Sequence, residues 1–150
     1  MRFNEKKFMR RERFTQRVLR FSAAGKFYLV RVIRRGRMID QIFELSDAVR
    51  YVAIYKNGQL ESKSKSSTAG ASSSESDRYE ELLVNPTLLK LASQRGNIDC
   101  GGMEYVLVRY GNFFQFVLPV PWGHVSVCIE MNADPIEIGG RIKALARLES

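Results

Sequence analysis

Val49-Arg50-Tyr51-Val52-Ala53-Ile54-Tyr55-Lys56-Asn57-Gly58-Gln59-Leu60-Glu61-Ser62-Lys63-Ser64-Lys65 reads as two strands joined by a tight turn. Val52 and Ile54 alternate with Tyr51, Ala53 and Tyr55, so the first arm presents an apolar side chain to each face of a sheet. Asn57-Gly58 accepts the positive φ angles of a two-residue hairpin turn. The second arm alternates Leu60, Ser62 and Ser64 with Glu61, Lys63 and Lys65, a polarity that suits a sheet edge.

The pattern continues on both sides of this hairpin. Met38–Ala48 carries Ile39, Ile42, Phe43 and Leu45 at helical spacing. Residues 66–76 are rich in serine and read as a solvated loop, in which phosphorylation is conceivable. Asp77–Gly96 is expected to be helical, capped by Ser74 or Ser76, with Leu82, Leu83, Leu88, Leu89 and Ala92 as its apolar stripe. Asn85-Pro86 is expected to kink or restart that helix, and Gly96-Asn97 to end it. Three strands follow. Met103–Tyr110 is apolar on both faces and is expected to be covered on both. Phe113–Leu118 returns after Gly111-Asn112. His124–Met131 follows a wider turn at residues 119–123 and alternates Val125, Val127 and Ile129 with His124, Ser126, Cys128 and Glu130. Asp134-Pro135 starts a last helix with Ile138, Ile142, Leu145 and Leu148 inward. Gly139-Gly140 weakens that helix unless another backbone crosses closely there. The fold class is therefore α+β: a five-stranded antiparallel sheet flanked by helices, in the order αββαβββα.

Charge divides the chain. Residues 1–37 hold 13 of the 24 Lys/Arg and 2 of the 16 acids, a net of +11, which leaves −3 for residues 38–150. Two domains are expected, a basic extension over 1–37 and the patterned domain over 38–150. In the extension, Phe3, Phe8, Phe14, Val18 and Phe21 suggest a basic amphipathic helix over 1–22, and Phe27–Ile33 a short strand. Three readings compete: a basic arm for RNA, DNA or an anionic membrane surface, an organelle-targeting peptide, or a segment outside the natural protein. The third places the natural start at Met38, because Arg34-Arg35-Gly36-Arg37 can be encoded almost entirely in purines, as a prokaryotic ribosome-binding site would be. No apolar run reaches about 18 residues, the length of a membrane span. With no export signal in the sequence, a reducing cytoplasm is the expected location.

Little in the residues points to catalysis or to a bound cofactor. His124, Ser126 and Cys128 share a strand face, but positions i and i+4 lie roughly 13 Å apart, beyond the reach of a nucleophile and its base. One histidine and two scattered cysteines lack metal-ligand spacing. Cys100 and Cys128 read as two small buried thiols, and Glu80-Glu81 as solvated helix acids. Trp122, on its Pro-rich turn, and the adjacent His124 are the candidate partner surface. Arg50-Tyr51, Tyr55-Lys56 and Arg109-Tyr110 interleave aromatics with bases, which could stack on single-stranded RNA.

The element order from Met38 to Leu148 resembles the roadblock/LC7 family, whose fold is loosely shared with longin and profilin-like domains. The resemblance rests on Val49–Lys56 with Asn57-Gly58, the Gly101-Gly102 entry to Met103–Tyr110, the Val125–Glu130 strand and the Asp134-Pro135 helix start. The stretch Arg109-Tyr110-Gly111-Asn112-Phe113-Phe114-Gln115 is also similar to small archaeal proteins of unknown function. The family resemblance implies a non-enzymatic, cofactor-free scaffold that dimerises by its third strand and second helix and serves small GTPases and motor complexes. Carried onto this chain, the dimer surface would comprise Leu88, Leu89, Ala92 and Arg95 of the helix with Met103, Tyr105, Leu107 and Arg109 of the strand. Pro86 within that helix and the long 66–76 loop depart from the family pattern. The alternative is a nucleic-acid-binding protein that uses residues 1–37; a ligand sensor using the sheet–helix cleft is a third possibility.

Overall fold

A computed structural model describes residues 15–21, 27–33, 37–68 and 73–148, the first two stretches as backbone. The chain divides into two units, residues 1–36 and 37–150. In the first, β1 (Thr15–Phe21) and β2 (Phe27–Ile33) form an antiparallel pair in which Thr15 faces Ile33 and Phe21 faces Phe27. The helix expected over 1–22 is thus a strand from Thr15 onward; residues 1–14 lie outside the described residues. The aromatic spacing was only loosely helical, and a partner strand six residues away satisfies the same backbone groups.

In the second unit, α1 (Met38–Phe43) leads into β3 (Val49–Lys56) and β4 (Gln59–Ser64). A single 3₁₀ turn, Ser66–Thr68, follows. Then α2 (Ser74–Tyr79), a π-turn (Glu80–Val84) and α3 (Asn85–Asp99) run on from one another. Finally β5 (Val106–Arg109), β6 (Phe114–Val120) and β7 (Gly123–Ile129) precede α4 (Pro135–Ala146). The sheet order is β4-β3-β7-β6-β5, and every pairing in it is antiparallel.

Local chemistry explains most boundaries. Asn57 and Gly58 take φ of 50° and 84°, as the hairpin turn requires. The Asp134 carboxylate accepts from Ile136 N at 2.8 Å and Glu137 N at 3.2 Å, which caps α4. Ser73, one residue before the expected caps, accepts from Ser76 N at 3.0 Å and starts α2. α1 stops five residues earlier than expected, where Leu45 N turns back to Ile42 O. α3 runs through Gly96-Asn97 and ends only when Cys100 N and Gly102 N both reach Gly96 O. The expected wide turn after β6 is two residues, Pro121 and Trp122, because Val120 pairs with Gly123. Gly123 passes so close under β3 that a Cβ there would fall 1.9 Å from Tyr55 O.

The two sheet faces differ. Val52, Phe116, Leu118, Val125, Val127 and Ile129 are buried against Ile39 and Ile42 of α1 and Ile138 and Ile142 of α4. This is the apolar core. The opposite face carries Tyr51, Gln115, His124, Ser126 and Cys128, and lies under the π-turn and α3. Met103–Tyr110, expected to be covered on both sides, is instead a four-residue, half-buried edge strand. Leu148 lies 62% exposed, outside the stripe it was expected to extend. Among the described residues no helix is long and apolar enough to cross a membrane.

Gly139 faces the Phe116 ring, and a Cβ there would fall 2.4 Å from it, whereas Gly140 has nothing within 4 Å. The close neighbour is therefore an aromatic ring, where the sequence suggested a backbone. Gly139→Ala should destabilise the fold by about 1–3 kcal/mol through overpacking. Gly140→Ala should stabilise it by about 0.5–1 kcal/mol through helix propensity. Urea unfolding midpoints of the two variants test the contrast.

Candidate functional site

The helix over the polar face is shaped by Pro86. Proline cannot donate to the carbonyl four residues back, and the chain widens ahead of it into a π-turn, in which Asn85 N donates to Glu80 O. Thr87 Oγ1 then donates to Leu83 O at 2.6 Å. The widened turn directs Glu81 and Asn85 at the sheet, and both have no exposed surface. Glu81 Oε2 lies 3.0 Å from His124 Nε2 and accepts from Asn85 Nδ2 at 3.0 Å. Asn85 Nδ2 also reaches Ser126 Oγ at 3.3 Å, and Gln115 Nε2 donates to the same hydroxyl. Cys128 Sγ donates to Gln115 Oε1 at 2.8 Å, and Tyr55 stacks on the His124 ring at 5.4 Å. At the rim, the Tyr110 hydroxyl donates to Glu80 Oε1 at 3.0 Å.

This network corrects several expectations. Glu80-Glu81 is not a solvated pair: Glu81 is fully buried and Glu80 half-buried. His124 is 2% exposed beneath the helix, so it lies inside the domain and not on its surface. Trp122 is half-buried against the core, with Lys56 Nζ 5.1 Å from its ring centroid. Cys100, expected inside, is exposed, and Cys128 is half-buried; both are free thiols. Alternation along β7 marked His124, Ser126 and Cys128 as one face, but the helix that covers them could not be read from the strand itself. The signal for Glu81 and Asn85 was the Asn85-Pro86 break.

Chemically the cluster holds a helix to a sheet. Burial, and then the neighbouring Glu81 carboxylate, push the Cys128 thiol well above its ordinary value, so the thiolate needed for nucleophilic attack is suppressed. The same causes raise Tyr51. Tyr110 is pushed up to about 12, first by burial and then by its bond to Glu80. Ser126 has no exposed surface and serves as an acceptor. Among the described residues no group of three His, Cys, Asp or Glu could hold a metal ion.

The other candidate surface is the β5 edge with α3, which pack together. Leu88 and Ala92 are half-buried, Leu89 is buried at 9% exposure, and Arg95 is exposed and paired with Asp99. Met103, Tyr105 and Leu107 are half-buried, the Tyr105 ring 5.0 Å from that of Phe116, and Arg109 is exposed. Leu91 and Ile98 of α3 expose 61% and 75% of their surface.

His124→Leu should cost about 3–5 kcal/mol, because it strands a buried carboxylate. The Glu81→Leu/His124→Leu double variant should cost less than the sum of the singles, by about 0.5–3 kcal/mol; a urea double-mutant cycle measures that difference. Iodoacetamide at pH 8 should alkylate Cys100 rapidly and Cys128 slowly, as read by peptide mass spectrometry.

No family model and no curated protein matches the chain. Solved structures do. A roadblock/LC7 domain from Streptomyces avermitilis superposes with a TM-score of 0.58 at 14% identity, over 74% of this chain and 90% of that one. MglC from Myxococcus xanthus aligns with a TM-score of 0.48 at 10% identity, over 74% and 92%. At these identities the likeness is one of fold: a five-stranded antiparallel sheet with flanking helices, arranged as in a roadblock/LC7 domain.

Proposed function

We propose that residues 38–150 are the working unit of a non-enzymatic, cofactor-free protein-interaction scaffold. The unit acts as a homodimer that presents a docking face to another protein, a small GTPase being the partner class the fold resemblance favours. The observation that carries this reading is the open β5 edge. Tyr110 N donates to Phe113 O at 2.9 Å across the β5–β6 turn. In an antiparallel pair, hydrogen-bonded and outward residues alternate. Val108 and Val106 therefore bond to β6, while Leu107 and Arg109 direct their backbone N–H and C=O groups outward. A second copy could add its own β5 there, with Leu88, Ala92, Arg95, Met103 and Tyr105 alongside, as edge pairing with side-chain packing requires.

Proline at an outward position removes an edge donor without touching the internal ladder. Light scattering on the full chain should give twice the chain mass. Arg109→Pro should give a single chain mass with an unchanged far-ultraviolet circular dichroism spectrum. A monomeric wild type would overturn the dimer.

The segregation of +11 onto residues 1–37 favours a second activity, binding of RNA or DNA by that segment. Affinity that falls steeply with salt and disappears on deletion of residues 1–37 would establish it.

A further inference from the structure

β1 and β2 bring the charge of the basic segment into register. In their antiparallel pair Arg17 stands opposite Arg31, Leu19 opposite Leu29 and Phe21 opposite Phe27. Residues alternate between the faces of a strand, and directly opposed residues share a face. These pairs therefore lie on one face of the ribbon, in the order Arg, Leu, Phe. Thr15 stands opposite Ile33, so Arg13, two residues before Thr15, and Arg34 and Arg35, directly after Ile33, join the ribbon at its same end. Opposed like charges are destabilising, and residues 13–35 hold seven Lys/Arg and no Asp or Glu to offset them. A two-stranded ribbon by itself is also only marginally stable in water. An anion is the charge this face lacks.

The phenylalanine pair supplies the second observation. It lies four residues along each strand from the arginine pair, roughly 13 Å. One face thus combines a paired cation with a paired aromatic. A single-stranded nucleic acid matches both, because its phosphates are charged and its unpaired bases are free to stack on aromatic residues. In a duplex the bases are stacked on one another and offer only their edges in the grooves, so a phenylalanine pair finds no ring to stack on. Resting on the reading of residues 1–37 as a nucleic-acid-binding segment, we propose that the β1–β2 ribbon binds single-stranded nucleic acid. Arg17 and Arg31 take its phosphates, and Phe21 and Phe27 stack on its bases. Every base has a π-face and every nucleotide a phosphate, so this binding tolerates differences of sequence and of sugar.

Fluorescence anisotropy of the full chain tests this, with labelled oligothymidylate and oligouridylate of about 20 nucleotides and the oligothymidylate–oligoadenylate duplex as probes. The two single strands should bind within a few-fold of each other and roughly ten-fold or more tighter than the duplex, with affinity falling as salt rises. Phe21→Leu/Phe27→Leu should weaken both single strands by roughly ten-fold or more and leave the salt dependence unchanged. Arg17→Gln/Arg31→Gln should reduce the slope of log affinity against log salt by about 1.4, from two phosphate contacts at about 0.7 each. The arginine variant keeps the apolar pairs, so it carries the test if the leucine variant does not fold. Equal or tighter binding of the duplex, or wild-type affinity and slope in the folded variants, would overturn the single-strand assignment while leaving nucleic-acid binding by residues 1–37 in place. A gap well above ten-fold between the two single strands would overturn it too, since that needs a contact to the sugar or the base edge. Binding of none of the probes would overturn both.

Discussion

A carboxylate with no exposed surface holds the second helical layer to the sheet. Glu81 sits 43 residues from His124 in the chain and 3.0 Å from it in space. Taking such groups out of water is expensive, and the cost is offset only when geometry and hydrogen bonding are good. Glu81 meets that condition at one oxygen only, with His124 and Asn85. The bonds are therefore demanding about position, and a shift of the helix by one residue would break those of Glu81 and Asn85 to His124 and Ser126.

That demand accounts for the contrast between the faces of the sheet. On one side, α1 and α4 cover Val52, Phe116, Val125 and Val127 with apolar surface. Such packing is stabilising at roughly 25 cal/mol per Å² and tolerant of small repacking. On the other, the exposed Leu82, Leu83 and Leu91 show how little apolar area the π-turn and α3 commit to the sheet. Position there is set by directed bonds. The same economy of apolar contact leaves room for a cavity of about 410 Å³ beneath α2.

The sheet was legible because its signals are local. Alternation in Val49–Lys56, the Asn57-Gly58 turn and the Asp134-Pro135 start each specify their own geometry within a few residues, and the structure places all three as expected. The polar cluster was obscure because its chemistry is divided between Glu81-Asn85 and Gln115-Cys128. Glu80-Glu81 has the composition of a solvated helix face; only the widened turn ahead of Pro86 aims one of the two inward. β5 misled in the opposite sense. Met103–Tyr110 is apolar enough for a central strand, yet it lies at the edge, because β6 and β7 are joined by a two-residue turn and β7 pairs with β3. The basic extension misled because loose aromatic spacing suits a strand as well as a helix when a partner strand is close in sequence.

The two edges of the sheet differ in what they permit. β4 carries Glu61 and Lys63, tied to Arg37 and Asp40 by pairs of 2.7 Å. The Lys63 bond holds the Asp40 carboxyl below its usual range. Exposed pairs of this kind contribute only about 0–1 kcal/mol to stability, so their consequence lies elsewhere. They cover an edge with fixed charge, which a second strand would have to desolvate before it could pair. β5 has the composition Val-Leu-Val-Arg and only its last residue is charged. An approaching strand meets outward N–H and C=O groups beside half-buried apolar side chains, and little charge has to be stripped of water. A strand added to this sheet would therefore meet the lower desolvation cost at β5, and a lysine introduced at Leu107 would make the two edges alike.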